Sequence, residues 1–131
     1  MIKNQLQQYV DIQKNNQWFR ERIQELEAEA ENIGARISKD LIKSTPAEHD
    51  KMARTVAKMV DFKTKLDTGE LKADELLTVV EKSLSNVDPR LQYLIRRRYI
   101  DGACWEQIRD EIGVSKRQIH NLHNKALKLI C

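Results

Sequence analysis

Turn-forming and aromatic residues are scarce in this chain. Four glycines and two prolines among 131 residues, with 5% aromatic content, leave too few turns and too little ring area for an all-β fold or a large sheet core. Cysteine is also rare. Cys104 and Cys131 show no metal-ligand spacing and are too few for a disulfide framework, so both are expected as reduced thiols. No run of about 18 apolar residues exists to span a bilayer, and the start, Met1 to Gln5, lacks the apolar stretch of a signal peptide. An all-α, soluble, cytoplasmic protein without a membrane partner is therefore expected. Catalytic signatures are missing too. There is no glycine-rich phosphate loop and no His or Cys beside a plausible nucleophile partner, which speaks against an enzyme or a cofactor.

Charge is abundant, and its distribution says more than its sum. Charged residues make up 33% of the chain and the formal net charge is +3. Residues 87–131 hold nine Lys/Arg against five Asp/Glu, whereas the rest holds fourteen against fifteen. From Ser115 to Cys131 the chain carries Lys116, Arg117, Lys125 and Lys128 with no acidic residue. A helix there presents a nearly pure positive field, whose natural partner is a polyanion.

From Ile2 to Leu41 the apolar residues follow a seven-residue repeat. Ile2, Tyr9, Ile23, Ala30 and Ile37 hold one seam position, and Ile12, Phe19, Leu26 and Ile33 the other. Asn16 interrupts the seam, either as a buried amide that fixes register or as a partly solvated turn. Thr45-Pro46-Ala47-Glu48 reads as a capping box opening a second helix, whose stripe is Met52, Val56, Met59 and Leu66. Two long helices with a short loop predict an antiparallel hairpin, with a homodimeric coiled coil as the competing arrangement. Near Asp67-Thr68-Gly69-Glu70 the helix either kinks or runs on; the stripe resumes at Leu71, Leu76, Leu77, Val80 and Leu84. Asp88 or Asn86 caps the next helix and Pro89 starts it. The domain boundary is placed here, with residues 1–86 as a helical extension and 87–131 as a second domain. Trp18 and Phe19 read as seam hydrophobes, although an exposed Trp18 would mark a partner surface.

The second domain carries the functional pattern. A helix from Pro89 to about Ile100 is expected to bury Leu91, Leu94, Ile95 and Tyr99, with Arg96 and Arg97 pointing outward, and to end at Gly102. A short helix with Trp105 and Ile108 inward leads to a tight turn at Ile112-Gly113-Val114. Ser115 and Gln118 then form a capping box on a final helix. Its inner face is Ile119, Leu122, Ala126 and Leu129 or Ile130. Short helix, glycine turn and capped basic helix in this order make a helix-turn-helix. Lys116, Arg117, Gln118, His120, Asn121 and Asn124 occupy the base-reading positions, because Arg and Lys bond guanine O6 and N7 while Asn and Gln pair with adenine. Arg96, Arg97, Ser115, Lys125 and Lys128 are the phosphate contacts. The plainer alternative is a solvated charged face. His120 and His123 stand three apart, but no further metal ligands accompany them, so no metal site is assigned; His123 reads as a rim residue over the core.

The stretch RRYIDGACWEQIRDEIGVSKRQIHNLHNKAL resembles region four of bacterial sigma factors, which reads the upstream promoter element. Arg98-Tyr99, Gly102, Ile108, Gly113, Ser115, Ile119 and Ala126 stand where that family has its Arg-Tyr, helix-ending Gly, packed Ile, turn Gly, capping Ser, packed Val and Ala. Cys104 departs from a usual capping Ser or Thr, and Arg109 from a small residue. The whole chain is similar to sigma-like regulators of Gram-positive phages and prophages, including the ArpU-like group of late-gene activators. That resemblance implies a transcriptional activator in the bacterial host cytoplasm, binding double-stranded DNA with host RNA polymerase, possible as a homodimer. Two other readings remain: a DNA-packaging protein like the small subunit of phage terminases, and an RNA polymerase-binding adaptor without DNA binding.

Overall fold

The computed structural model describes residues 2–39 and 46–130. Among them the chain is all-helical, with α1 (Ile2–Lys39), α2 (Pro46–Leu84), α3 (Pro89–Ile95), α4 (Trp105–Ile112) and α5 (Lys116–Ile130). The first two form the long hairpin that the heptad spacing predicts. The expected Thr45 cap, Leu41 and Cys131 lie outside the described residues. No helix among the described residues is long and apolar enough to cross a membrane. Two compact units divide the chain: residues 14–71, and residues 1–13 together with 72–131. A boundary at residue 87 falls inside the second unit.

In the unit of residues 14–71, Ile23 and Ile33 are buried on the α1 seam, with Phe19, Leu26 and Ala30 half-buried. On α2 the inward positions are Met52, Thr55, Met59, Phe62, Leu66 and Gly69. Val56 and Leu71, two residues of the expected stripe, are exposed. Thr55 takes the buried place instead, because the alternating three and four spacing outranks side-chain polarity. Its hydroxyl donates to the Lys51 carbonyl at 2.9 Å, so burial leaves no orphaned donor. Trp18, Phe19 and Phe62 form a mutual ring cluster with centroids 5.3 to 5.7 Å apart, and Trp18 keeps an exposed edge.

Asn16 and Gly69 resolve each other. Asn16 is a buried polar residue at 1% exposure, and α2 runs through Gly69 without a break. A Cβ on Gly69 would collide with the Asn16 side-chain amide oxygen. Glycine is here for space, so that the amide can enter the seam. A slip of one heptad would put Phe62 opposite Asn16, which makes this contact a register lock. Gly69→Ala inside a helix ordinarily gains about 1 kcal/mol. Here it is expected to destabilise by about 1 to 3 kcal/mol, the usual penalty for overpacking. Chemical denaturation of Gly69→Ala, Asn16→Ala and the double variant checks this: the Gly69→Ala penalty should vanish once Asn16 is truncated.

The other unit has one core. Val87, Leu91, Leu94, Ile95, Ala103, Ile108, Ile119, Ala126, Leu127 and Ile130 pack together with Val80 and Leu84 from α2 and Leu6 from α1. Leu6 stands off the seam heptad yet is fully buried. Asp88 caps α3, its carboxylate accepting the Arg90 N–H at 2.9 Å, and Pro89 occupies the first turn. After Ile95 the helix widens into one π-helical turn, Arg96–Ile100, closed by the Asp101 N–H on the Arg96 carbonyl at 3.0 Å. Gly102, at φ +73°, then ends it in left-handed geometry while the Ala103 N–H reaches the Arg97 carbonyl. Leu6→Ala should lower unfolding stability by about 2 to 5 kcal/mol, the range for truncating a fully buried leucine. Val60→Ala, at an exposed position, should change it by less than about 0.5 kcal/mol, which urea titration of both variants checks.

Candidate nucleic-acid interface

Three residues turn the chain from α4 into α5. Gly113 adopts φ +78°, ψ 43°, and its N–H and that of Val114 both donate to the Arg109 carbonyl, closing α4. Ser115 and Gln118 form the expected box: the Gln118 N–H donates to Ser115 Oγ at 3.2 Å, and the Ser115 N–H to Gln118 Oε1 at 2.9 Å. At the other end of α4, Cys104 holds the cap position in extended geometry but makes no side-chain capping bond. Arg109 places its Nε in a buried spot with no hydrogen-bond acceptor.

The inner face of α5 is Ile119, Ala126, Leu127 and Ile130, with Leu122 half-buried. The choice between the last two apolar residues falls to Ile130, since Leu129 is exposed, and Leu127 joins the core unexpectedly. Lys116, Arg117, Gln118, His120, Asn121, Asn124, Lys125 and Lys128 are all exposed. Arg117, Asn121, Asn124 and Lys128 fall at four-, three- and four-residue steps and form one straight outward stripe. Among the described residues, none of the four α5 cations pairs with a carboxylate.

Arg96 and Arg97 are placed differently. Arg96 grips Glu81 through Nε and a terminal nitrogen at 2.9 and 2.6 Å. Arg97 grips Glu111 at 3.0 and 2.7 Å and also reaches Asp101 at 3.1 Å, while the Tyr93 hydroxyl donates to Glu111 at 2.7 Å. Such forked pairs are the strong form of the arginine–carboxylate bond. Each holds its carboxylate below the usual range, through the arginine hydrogen bond first. These two side chains brace α3 and the π turn against α2 and α4, and carboxylates already offset their charge. Arg98 also turns inward, its guanidinium 4.6 Å from the Trp105 ring and bonded to the Ala103 carbonyl.

Behind the outward stripe sits an aromatic cluster. His123 packs edge-on to Trp105 at 4.7 Å and stacked on Tyr99 at 5.8 Å, with its Nε2 2.8 Å from the Tyr99 hydroxyl. Burial, with help from nearby Arg98, pushes the imidazole down to about 4, so it is neutral at neutral pH. The spacing of His120 and His123 showed a helix pair but not this enclosure; Tyr99, delivered by the π turn, supplies it.

Gln118 has two demands on one side chain. Its Oε1 is taken by the Ser115 N–H, which leaves the amide N–H groups to donate outward. Pairing with adenine through both amide atoms would give up the cap. Ser115 keeps a hydroxyl proton to donate. An open hollow of about 270 Å³ flanks the stripe, lined by Arg90, Val114, Gln118, Asn121, Leu122 and Lys125. Arg90 is a cation beside this hollow that the sequence pattern did not single out. Comparison with protein-family models, curated proteins and solved structures returned no match.

Because His123 has its folded pKa depressed below the unfolded value near 6.5, protonation favours the unfolded chain. Stability from this group is complete above about pH 6.5 and is lost as pH falls toward 4. Thermal melts between pH 7 and 4.5 should show a decline that flattens in His123→Gln, which removes the titration and keeps polar atoms for Tyr99.

Proposed function

We propose that this chain is a sequence-specific double-stranded DNA-binding regulator of transcription. α4, the glycine turn and α5 act as a helix-turn-helix of the sigma region four kind, with α5 lying in the major groove. The observation that carries this reading is the α5 outer face: exposed cations and amides, no carboxylate, on a capped helix fixed by a left-handed glycine turn. Arg117, Asn121 and Asn124 read base edges from the centre of the stripe, with Lys116, His120 and the donating N–H groups of Gln118 at its margins. Ser115, Lys125 and Lys128 hold phosphates. Arg96 and Arg97 serve the fold rather than the phosphate backbone, given their carboxylate partners. The resemblance to phage and prophage regulators supplies the sign, activation, and the second partner, host RNA polymerase.

Fluorescence anisotropy against random duplex and fragments of the gene's own neighbourhood, at two salt concentrations, tests this reading. Saturable, salt-sensitive binding that prefers one fragment is expected. Arg117→Ala or Asn121→Ala should relax discrimination at one base pair by about 1 to 3 kcal/mol, whereas Lys128→Ala should weaken all duplexes alike. Equal losses on preferred and random DNA at all three sites would remove the base-reading assignment. Absence of duplex binding at low salt favours a polymerase adaptor, and a large symmetric ring by light scattering favours a packaging protein.

A further inference from the structure

The hairpin of residues 14–71 has two rims, and they are charged by different rules. On one rim, signs alternate and pair across the helices: Arg20 with Glu70 at 3.0 Å and Glu27 with Lys63 at 3.5 Å. On the other, α2 presents Lys51, Lys58 and Lys65 at strict seven-residue intervals, with Arg54 among them, all exposed. The α1 side offers Glu29, and Arg22 and Arg36 stand seven residues either side of it. The Lys51–Glu29 pair, at 3.9 Å, is the loosest ion pair seen in the unit. Lys65 and Arg22 turn to carboxylates on their own helices, Asp61 and Glu25. Arg54 and Lys58 meet no carboxylate among the described residues. Between them lies a hollow of about 260 Å³, lined by Leu26, Glu29, Lys51, Arg54, Thr55 and Lys58.

Like charges along a rim oppose hairpin formation, so helix pairing does not account for this arrangement. We infer that the cationic rim of α2 is a second nucleic-acid contact that holds the phosphate backbone without reading sequence. Lysines suit the role as hydrated point charges on flexible stems. Three of them seven residues apart cover about 21 Å along the helix at 1.5 Å per residue, a regular spacing that matches a polymer of repeating charge better than one acidic side chain. Glu29 is the one carboxylate in the hollow, and it leaves three cations in excess of it by two. The inference rests on the reading that the chain binds duplex, and it adds affinity where α5 adds selectivity.

The test is a salt titration of random and preferred duplex with the full chain and with Lys51→Gln/Arg54→Gln/Lys58→Gln, all exposed positions, with circular dichroism confirming helix content. Each lost phosphate contact makes the log–log salt slope shallower by about 0.9, so a loss of about 2 to 3 is expected, with the preference between fragments unchanged. Lys63→Gln, on the compensated rim, should leave the slope as it is. An unchanged slope in the triple variant with preference intact would overturn the rim contact and leave the α5 reading standing. Rim-dependent binding with no preference would uphold the rim and defeat base reading, and no duplex binding at all would defeat both. Poly-glutamate binding as tightly as duplex would overturn the inference in favour of an acidic protein.

Discussion

About forty residues of short helices bury too little apolar surface to fold alone, and the C-terminal unit is organised around that constraint. It draws Leu6 from the start of α1 and Val80 and Leu84 from the end of α2 into the core that α3, α4 and α5 build. The outer face of α5 can be wholly polar only because its inner face has those partners to press against. Without the long helices there would be no floor beneath Leu94, Ile108 and Ile119. The hairpin ends are thus part of the domain, and the basic helix owes its fixed position to residues far away in sequence.

Electrostatics separates two groups of cations that look alike in sequence. Arg96, Arg97 and Arg98 form a basic run, yet two grip carboxylates and the third covers an indole ring and a carbonyl. Lys116, Arg117, Lys125 and Lys128 are spread along a helix and, among the described residues, form no ion pair. The distinction is one of neighbours: Glu81, Asp101 and Glu111 are placed to pair with the arginines, whereas no described carboxylate pairs with an α5 cation.

Much of this was legible in the sequence. The capping pairs Asp88 with Pro89 and Ser115 with Gln118, the left-handed turns at Gly102 and Gly113, and the long hairpin all follow from local spacing, because each is decided within a few residues. What escaped depends on partners distant in sequence. Leu6 breaks the heptad and is buried because α2 and the C-terminal helices surround it. Val56 is apolar at a position the seam does not use. Gly69 read as a possible kink, because nothing nearby in sequence announces the Asn16 amide that it makes room for. The forked pairing of Arg97 escaped for the same reason: Glu111 is fourteen residues downstream.

The π turn has a consequence for how this segment tolerates change in length. A π turn is an α-helix carrying one surplus residue, so Arg96–Ile100 stores an insertion without breaking the helix. Deleting a single residue there would return that turn to α geometry and leave the residues after it close to their present phase, because the surplus is absorbed within one turn. Only residues inside the turn would change direction, among them Arg97 and Tyr99, which face Glu111 and His123. The segment thus tolerates the loss of a residue in its course but not in its contacts.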